Sequence, residues 1–471
     1  MLKLVTRLFD KLANGYVNIK HKLTIVYNDK VLLRKIFFTF FLLTIFVICG
    51  TITIPGVRLS NFQIDSNSFL GVINTVGGGG LLNFSIVALG ISPFITASLI
   101  MLIAQTKLFP PIHRLSQSGP HGRRKINIIT RILTLVISLV QAVVLVRTVI
   151  DNDQLNFVIL EDNSFGYRYL AIPLILIAGS LFALFLGEQI TDKGVGNGTS
   201  LIIFSGIAVG LPRRFQFAFD YIVNTQGSAS SINEILGFLS YLVGFLLLML
   251  IVVFVYLAER KIPIQQTGSG MTKNVKEIST LPLKLNPAGI MPIIFSLIVI
   301  SLPTLFTGFL DINTSAVRNW IANNLRVQDP LGLGLFIFFN IVFTVVMSLQ
   351  QSRIDKISED FAKNSTFIPG IRPGEQTEDY LIGVVLRLSV FSAIYLTLLG
   401  VLQPVQIMLG LPDAITFSGT SVIILATTAL ETLSQIKARR DAEKIIVKRK
   451  KINKNIAKSN TSKLNEKDLL W

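Results

Sequence analysis

Uninterrupted apolar blocks constrain this chain more than any other feature. Runs such as KIFFTFFLLTIFVICG and GFLLLMLIVVFVYLA form the centres of apolar blocks of roughly 20 residues, which match the thickness of a bilayer's hydrocarbon core and exceed the length of an ordinary buried helix. Hydrocarbon offers no water to an unpaired backbone N–H or C=O, so such runs must be helices. A chain with 51% hydrophobic and 15% charged residues is therefore read as a polytopic helical membrane protein.

Run length and turn signals place about ten spans, at 31–55, 80–108, 126–150, 169–191, 199–211, 235–257, 286–306, 331–349, 379–402 and 415–436. The net charge of +17 serves mainly to orient them. Lys3, Arg7, Lys11, Lys20, Lys22, Lys30, Arg34 and Lys35 precede the first span, and Lys437, Arg439, Arg440, Lys444, Lys448, Arg449, Lys450 and Lys451 follow the last. Both termini are thereby placed in the cytoplasm, with Arg114, Arg123, Arg124 and Lys125 on the same side and the acidic DNDQLNFVILEDNSFG outside. The opening residues carry charges without a small-residue cleavage site, so no cleaved signal peptide is expected. Val5, Leu8, Phe9 and Leu12 at helical spacing fit either a helix on the inner membrane surface or a solvated basic arm. The tail KRKKINKNIAKSNTSKLNEKD is too polar to bury a core and is expected to be solvated and disordered.

Catalysis finds little support. A single cysteine, Cys49, excludes disulfides and cysteine-built metal sites, and no cofactor is expected. His21, His113 and His121 all lie outside the spans, without carboxylates, serines or cysteines at a recognisable spacing. GVGNGTS has the look of a phosphate loop, but Gly198 stands where a Walker lysine must precede Thr199. Arg131, Glu188, Glu431 and Arg147 fall near span ends, where long side chains reach water, and no relay of buried carboxylates is seen. A conduit through this chain would be lined by apolar residues.

Two spans are broken in matching places. The second span of the first half contains GGGG and Ser92-Pro93; its counterpart in the other half opens LPLKLNPAGIMPIIF, with Pro282, Pro287, Gly289 and Pro292. Matched interruptions point to inverted repeats around a central site, which suits a transporter or a channel.

The motifs ALGISPFITASLI, GVGNGTSLIIFSGI, LPLKLNPAGIMPIIF, FIPGIRPGEQTEDYL and GTSVIILATTALETLSQIKA, in this order along nearly the whole chain, resemble the SecY family of protein-export channel subunits. The resemblance implies an all-α membrane protein of about ten helices in two pseudo-symmetric inverted five-helix halves, near 31–215 and 216–436, around a central pore. It implies a pore ring of Ile91 and Ile95, Ile203 and Ile207, Ile294 and Ile424. Each of the first two pairs is at i, i+4 and so shares a helical face. It further implies a short plug helix, assigned to Leu81, Leu82, Asn83, Phe84, Ser85, Ile86, Val87, Ala88 and Leu89. A lateral gate with Thr96, Ser98, Gln141 and Asn286 is also implied, Gln141 being a candidate partner of Asn286.

Loops complete the picture. Paired Pro-Gly turns hold Arg372, with Thr377, Glu378 and Asp379 opening the next helix. Ile354, Ile357 and Phe361 share a face of a short amphipathic helix in RIDKISEDFAKN. In such proteins the arginine at the position of Arg372 serves the SecA motor, and Arg260 and Lys261 of AERKIPIQ are further docking cations for motor or ribosome. QTGSGMTKNVKE replaces the more basic run usual in that loop. The implied function is a passive protein-conducting channel, not an enzyme, that moves unfolded secretory chains across the plasma membrane and releases apolar segments sideways into lipid. SecE, SecG, SecA, the ribosome, secretory and membrane-protein substrates and membrane lipids are the implied partners. A small-solute transporter on inverted repeats is the alternative.

Overall fold

The structure, a computed structural model, describes residues 30–59, 69–105, 109–149, 158–160, 164–224, 232–266, 279–307, 316–412 and 415–442. The proposed N-terminal surface helix, most of the 265–277 loop and the tail beyond 442 lie outside these residues.

Every expected span has its helix. In chain order the helices are α1 (Lys30–Thr51), α2 (Phe69–Gly77), α3 (Ser92–Ala104), α4 (Pro110–Gln117), α5 (Gly119–Val149), α6 (Ile172–Lys193), α7 (Gly198–Asn224) and α8 (Ile232–Leu257). There follow α9 (Met291–Thr307), α10 (Ala316–Asn324), α11 (Pro330–Ser352), α12 (Ile354–Lys363), α13 (Glu375–Met408) and α14 (419–442). Among the described residues seven helices are long and apolar enough to cross a membrane, and α3 and α9 are shorter apolar ones. At about 1.5 Å per residue the 22 residues of α1 reach ~33 Å, the span of a hydrocarbon core.

Three short antiparallel pairs stand outside the all-α expectation: β1 (Val57–Leu59) with β2 (Val158–Leu160), β3 (Glu259–Pro263) with β5 (Thr280–Lys284), and β4 (Gln265–Gln266) with β6 (Thr366–Phe367). Their signal is present in the sequence, since Ile262 and Ile264 alternate with other residues, as do Leu281, Leu283 and Leu285. These side chains join Ile354, Ile368, Leu381 and Val384 in a hydrophobic cluster that binds the β3–β5 hairpin, α12 and α13 into one platform.

The chain divides into two compact units. One comprises residues 1–44, 186–198 and 429–471; the other comprises 45–185 and 199–428. Within the second unit α3 packs on α5, α9 on α11, and α11 on α13. The α11–α13 contact shows how helices associate where lipid removes the hydrophobic drive: small residues admit close approach and polar side chains bond across. Gly400 leaves room for the fully buried Phe336 ring, and Asn340 donates to Thr397 Oγ1 at 2.9 Å.

Three boundaries depart from expectation. The α7 helix, expected to stop at Leu211, runs through Pro212 to Asn224. Its extension is held by aromatic edges, Phe215 against Phe245 and Phe219 against Phe238 of α8. Helix α9 starts at Met291 rather than Asn286, because Gly289 takes φ +66° and turns the chain just before it. The largest correction concerns 81–89, expected to be a short plug helix: these residues form consecutive turns, and the helix in this region is α2, which ends at the first of the glycines.

The glycines serve backbone contact. A Cβ on Gly90 would strike the Gly77 carbonyl, and one on Gly206 would strike the Gly78 carbonyl, so these chains meet main chain to main chain. Gly90→Ala and Gly206→Val are each expected to destabilise the protein by about 2 kcal/mol or more. A thermal denaturation midpoint in detergent that stays at the wild-type value in both would contradict this packing.

Candidate functional site

Residues 77–91 are irregular backbone in a segment read as lying at membrane depth, and their hydrogen bonds show how that is tolerated. Thr53 and Ser85 form an isolated antiparallel bridge. Around it Ile54 N donates to Phe84 O at 3.2 Å and Ile86 N to Ile52 O at 3.1 Å. Asn74 Oδ1 accepts from Leu81 N at 3.1 Å and Leu82 N at 3.3 Å, and its carbonyl accepts from Gly79 N at 2.7 Å. Asn83 Nδ2 donates to Gly50 O at 3.2 Å. Other N–H groups close local turns, such as Ala88 N to Ser85 O at 2.9 Å and Gly90 N to Val87 O at 2.9 Å. Bridging to 52–54, with Phe84 at φ +41°, is what prevents 81–89 from winding into a helix.

From this knot α3 departs with Ile91 at its N-cap and Pro93 in its first turn, where a missing N–H costs nothing. Ile91 is fully buried, Ile95 6% exposed, Ile203 3%, Ile294 2% and Ile424 3%, while Ile207 is half-buried. Isoleucines of a membrane helix ordinarily face lipid; burial of five of these six puts them on the protein interior. Ile294 and Ile424 line one apolar cavity with Ile290, Ile293, Leu297, Thr420 and Ile423. Ile207 lines a second cleft with Arg214, Tyr241 and Phe417.

The gate residues divide differently from the sequence pairing. Gln141, 3% exposed, donates to Thr96 Oγ1 at 3.4 Å, and Thr96 itself donates to Ser92 O at 3.0 Å. Asn286, the candidate partner of Gln141, instead donates to Gly289 O at 3.0 Å and stabilises the turn before α9. Among the described residues, buried Oδ1 of Asn286 and Oε1 of Gln141 have no partner. Ser98 is half-buried.

On the loop platform, Arg372, Arg260 and Lys261 are exposed. Ile371 N donates to Ile368 O at 3.0 Å, Ser358 Oγ to Gly374 O at 2.8 Å, and Thr377 Oγ1 to Arg372 O at 2.8 Å, so the arginine stands on a braced turn. Thr377 thus works backward onto the loop, and α13 begins two residues before it, at Glu375. The β4–β6 pairing joins this loop to the strand region bearing Arg260 and Lys261. At the end of α12, Lys363 donates to Glu359 at 2.6 Å and holds that carboxyl below the ordinary range. This bond is present above the usual carboxylate pKa and lost as pH falls through the lowered value, but both groups are exposed and its weight is small.

Among the described residues, seven membrane-length helices with two shorter apolar ones, five buried isoleucines and a broken segment whose backbone bonds to its neighbours fit a membrane channel subunit. A profile of the SecY family matches residues 85–433, and the chain belongs to that family. It is 38% identical to protein translocase subunit SecY of Mycoplasma capricolum, covering 92% of this chain and 93% of the relative. To the SecY of Bacillus licheniformis it is 35% identical, covering 86% and 94%. The solved structure of a protein-conducting channel matches with TM-score 0.64 at 18% identity, over 86% of this chain and 92% of the other. Sec61 in the canine ribosome–channel complex matches with TM-score 0.61 at 18% identity, over 86% and 92%. The fold is accordingly the ten-helix pseudo-symmetric channel fold, and the function is that of a protein translocase subunit. These relatives give the solute-transporter alternative no support.

Gln141→Leu is expected to cost less than about 1 kcal/mol, because its bond to Thr96 is long and its Oε1 is already unsatisfied. A loss above about 2 kcal/mol in detergent denaturation would show that the pair is a principal support of α3 on α5.

Proposed function

We propose that Ile91, Ile95, Ile203, Ile207, Ile294 and Ile424 form the constriction through which unfolded chains pass. The observation that carries this is the burial of five of them at membrane depth, with Ile294 and Ile424 on one apolar cavity. A narrow apolar constriction hinders ions by dewetting, yet its side chains turn aside for a polypeptide.

The seal on the outer side is assigned to α2 with the turns of 81–89 behind it. Packing of α2 against both α3 and α9 supports this, since α3 and α9 are the two faces of the proposed lateral gate. In a structurally similar SecY, with TM-score 0.59 at 17% identity and coverage of 86% of this chain and 92% of that one, the plug domain stabilises the closed state and maintains a membrane seal. Thr96, Ser98, Gln141 and Asn286 then mark the gate through which apolar segments reach lipid.

The chain works as a non-catalytic conduit in the plasma membrane, with both termini cytoplasmic and energy supplied by other proteins. SecA and the ribosome use the platform of Arg372, Arg260 and Lys261 in turn, and SecE and SecG complete the complex. The braced Arg372 turn supports the docking assignment, and basic residues at both chain ends support the orientation.

Cysteines placed at Ile91, Ile203 and Ile424 in a Cys49→Ala background are expected to crosslink a stalled secretory chain. Crosslinks confined to lipid-facing positions such as Leu246 would refute the pore assignment. Arg372→Glu is expected to slow SecA-driven export by about tenfold through lost electrostatic docking. Export at the wild-type rate would remove Arg372 from the docking surface.

A further inference from the structure

The loop between α6 and α7, GVGNG, resembles a phosphate loop in sequence and is occupied by protein groups in the structure. Val195, 1% exposed, donates its N–H to Thr39 Oγ1 at 2.9 Å. Gly198 N donates to Thr191 Oγ1 at 2.9 Å. A Cβ on Gly194 would strike Thr39 Oγ1, and one on Gly198 would strike the Gly187 carbonyl. The loop is therefore tightly seated, with little room to yield when pulled.

Arg439 reaches this loop from 245 residues away: its Nη1 donates to Gly194 O at 2.6 Å. That carbonyl lies just past the end of α6, where helix carbonyls lack internal partners and the helix dipole favours a cation. The bond is charge-assisted, and a guanidinium makes it with a fixed planar geometry. Its neighbour Arg440 is used otherwise, on Asp441 at 3.2 Å. By charge pattern alone Arg439 is one more basic residue after the last span. The structure separates it from the rest.

Gly198 opens α7, which carries Ile203 and Ile207, and Arg439 stands on α14, which carries Ile424. We propose that Arg439 is a positioning residue whose bond to Gly194 ties α14 to the braced loop that leads into α7 and thereby restrains opening of the isoleucine constriction. The proposal rests on the channel reading above. A tie at one end of two helices limits how far they separate elsewhere, provided the anchoring loop is stiff. Thr39 and Thr191 supply that stiffness.

The test is single-channel recording from the reconstituted translocase, whose open probability per channel is independent of how much protein folds. Arg439→Ala is expected to raise resting open probability by about five- to tenfold, the lower end of the usual range for coupling between sites. Arg439→Lys, which keeps a cation near the carbonyl, should restore most of the closure. Thr39→Val removes one of the loop's two threonine braces while leaving that of Thr191 and the Arg439 tie, and should raise open probability less than Arg439→Ala does. Unchanged open probability in Arg439→Ala would overturn the proposal, as would Thr39→Val matching Arg439→Ala, since that would assign the effect to loop packing. Failure of the channel reading itself would look different, because the wild-type complex would then show no conductance linked to secretory chains.

Discussion

Everything in this structure depends on giving hydrogen-bond partners to backbone that is not helical yet lies between membrane helices. An unpaired N–H or C=O costs several kcal/mol in hydrocarbon. The chain meets this at 77–91 with a short ladder to 52–54, the side chain and carbonyl of Asn74, and a succession of tight turns. Because that knot is satisfied by protein, α3 can be only 13 residues long and still start at a defined depth with Ile91 at its cap. Its depth in turn places Ile95 and Thr96, so the proposed constriction and gate would inherit their geometry from the same hydrogen bonds.

Packing around the knot uses contacts that a membrane permits and water-soluble cores seldom need. Gly77 meets Gly90 and Gly78 meets Gly206 through bare backbone, which lets the broken segment lie directly on α7. Buried hydroxyls often bond back to their own helix, as Thr134 does to Thr130 O at 2.7 Å and Ser296 to Pro292 O at 2.7 Å. The polar bond described from α5 to α3 is long, at 3.4 Å. An α3–α5 contact with so weak a polar link strands few polar groups when α3 shifts, which suits the proposed lateral gate.

The spans are legible in the sequence because hydrocarbon thickness fixes their length, and hydropathy reads that directly. The isoleucines are legible only through the separated motifs, since a buried isoleucine and a lipid-facing one look alike in a sequence. Residues 81–89 mislead because the resemblance places a short helix there, while the bridge to Thr53 that holds them as turns is a tertiary contact. Pro212 gives a false stop to α7 for a similar reason: aromatic packing on α8 outweighs the lost backbone bond. The pairing of Gln141 with Thr96, and the reach of Arg439 to Gly194, depend on side-chain direction across distant segments, which no local pattern carries.

A polypeptide crossing the membrane through the space closed by these isoleucines is the central claim. Its most direct test is a structure of the translocase with a secretory chain arrested part-way. Extended density is expected to pass between Ile91, Ile203, Ile294 and Ile424, with α2 moved from its place against α9. Density running outside that ring, with α2 still seated, would contradict it.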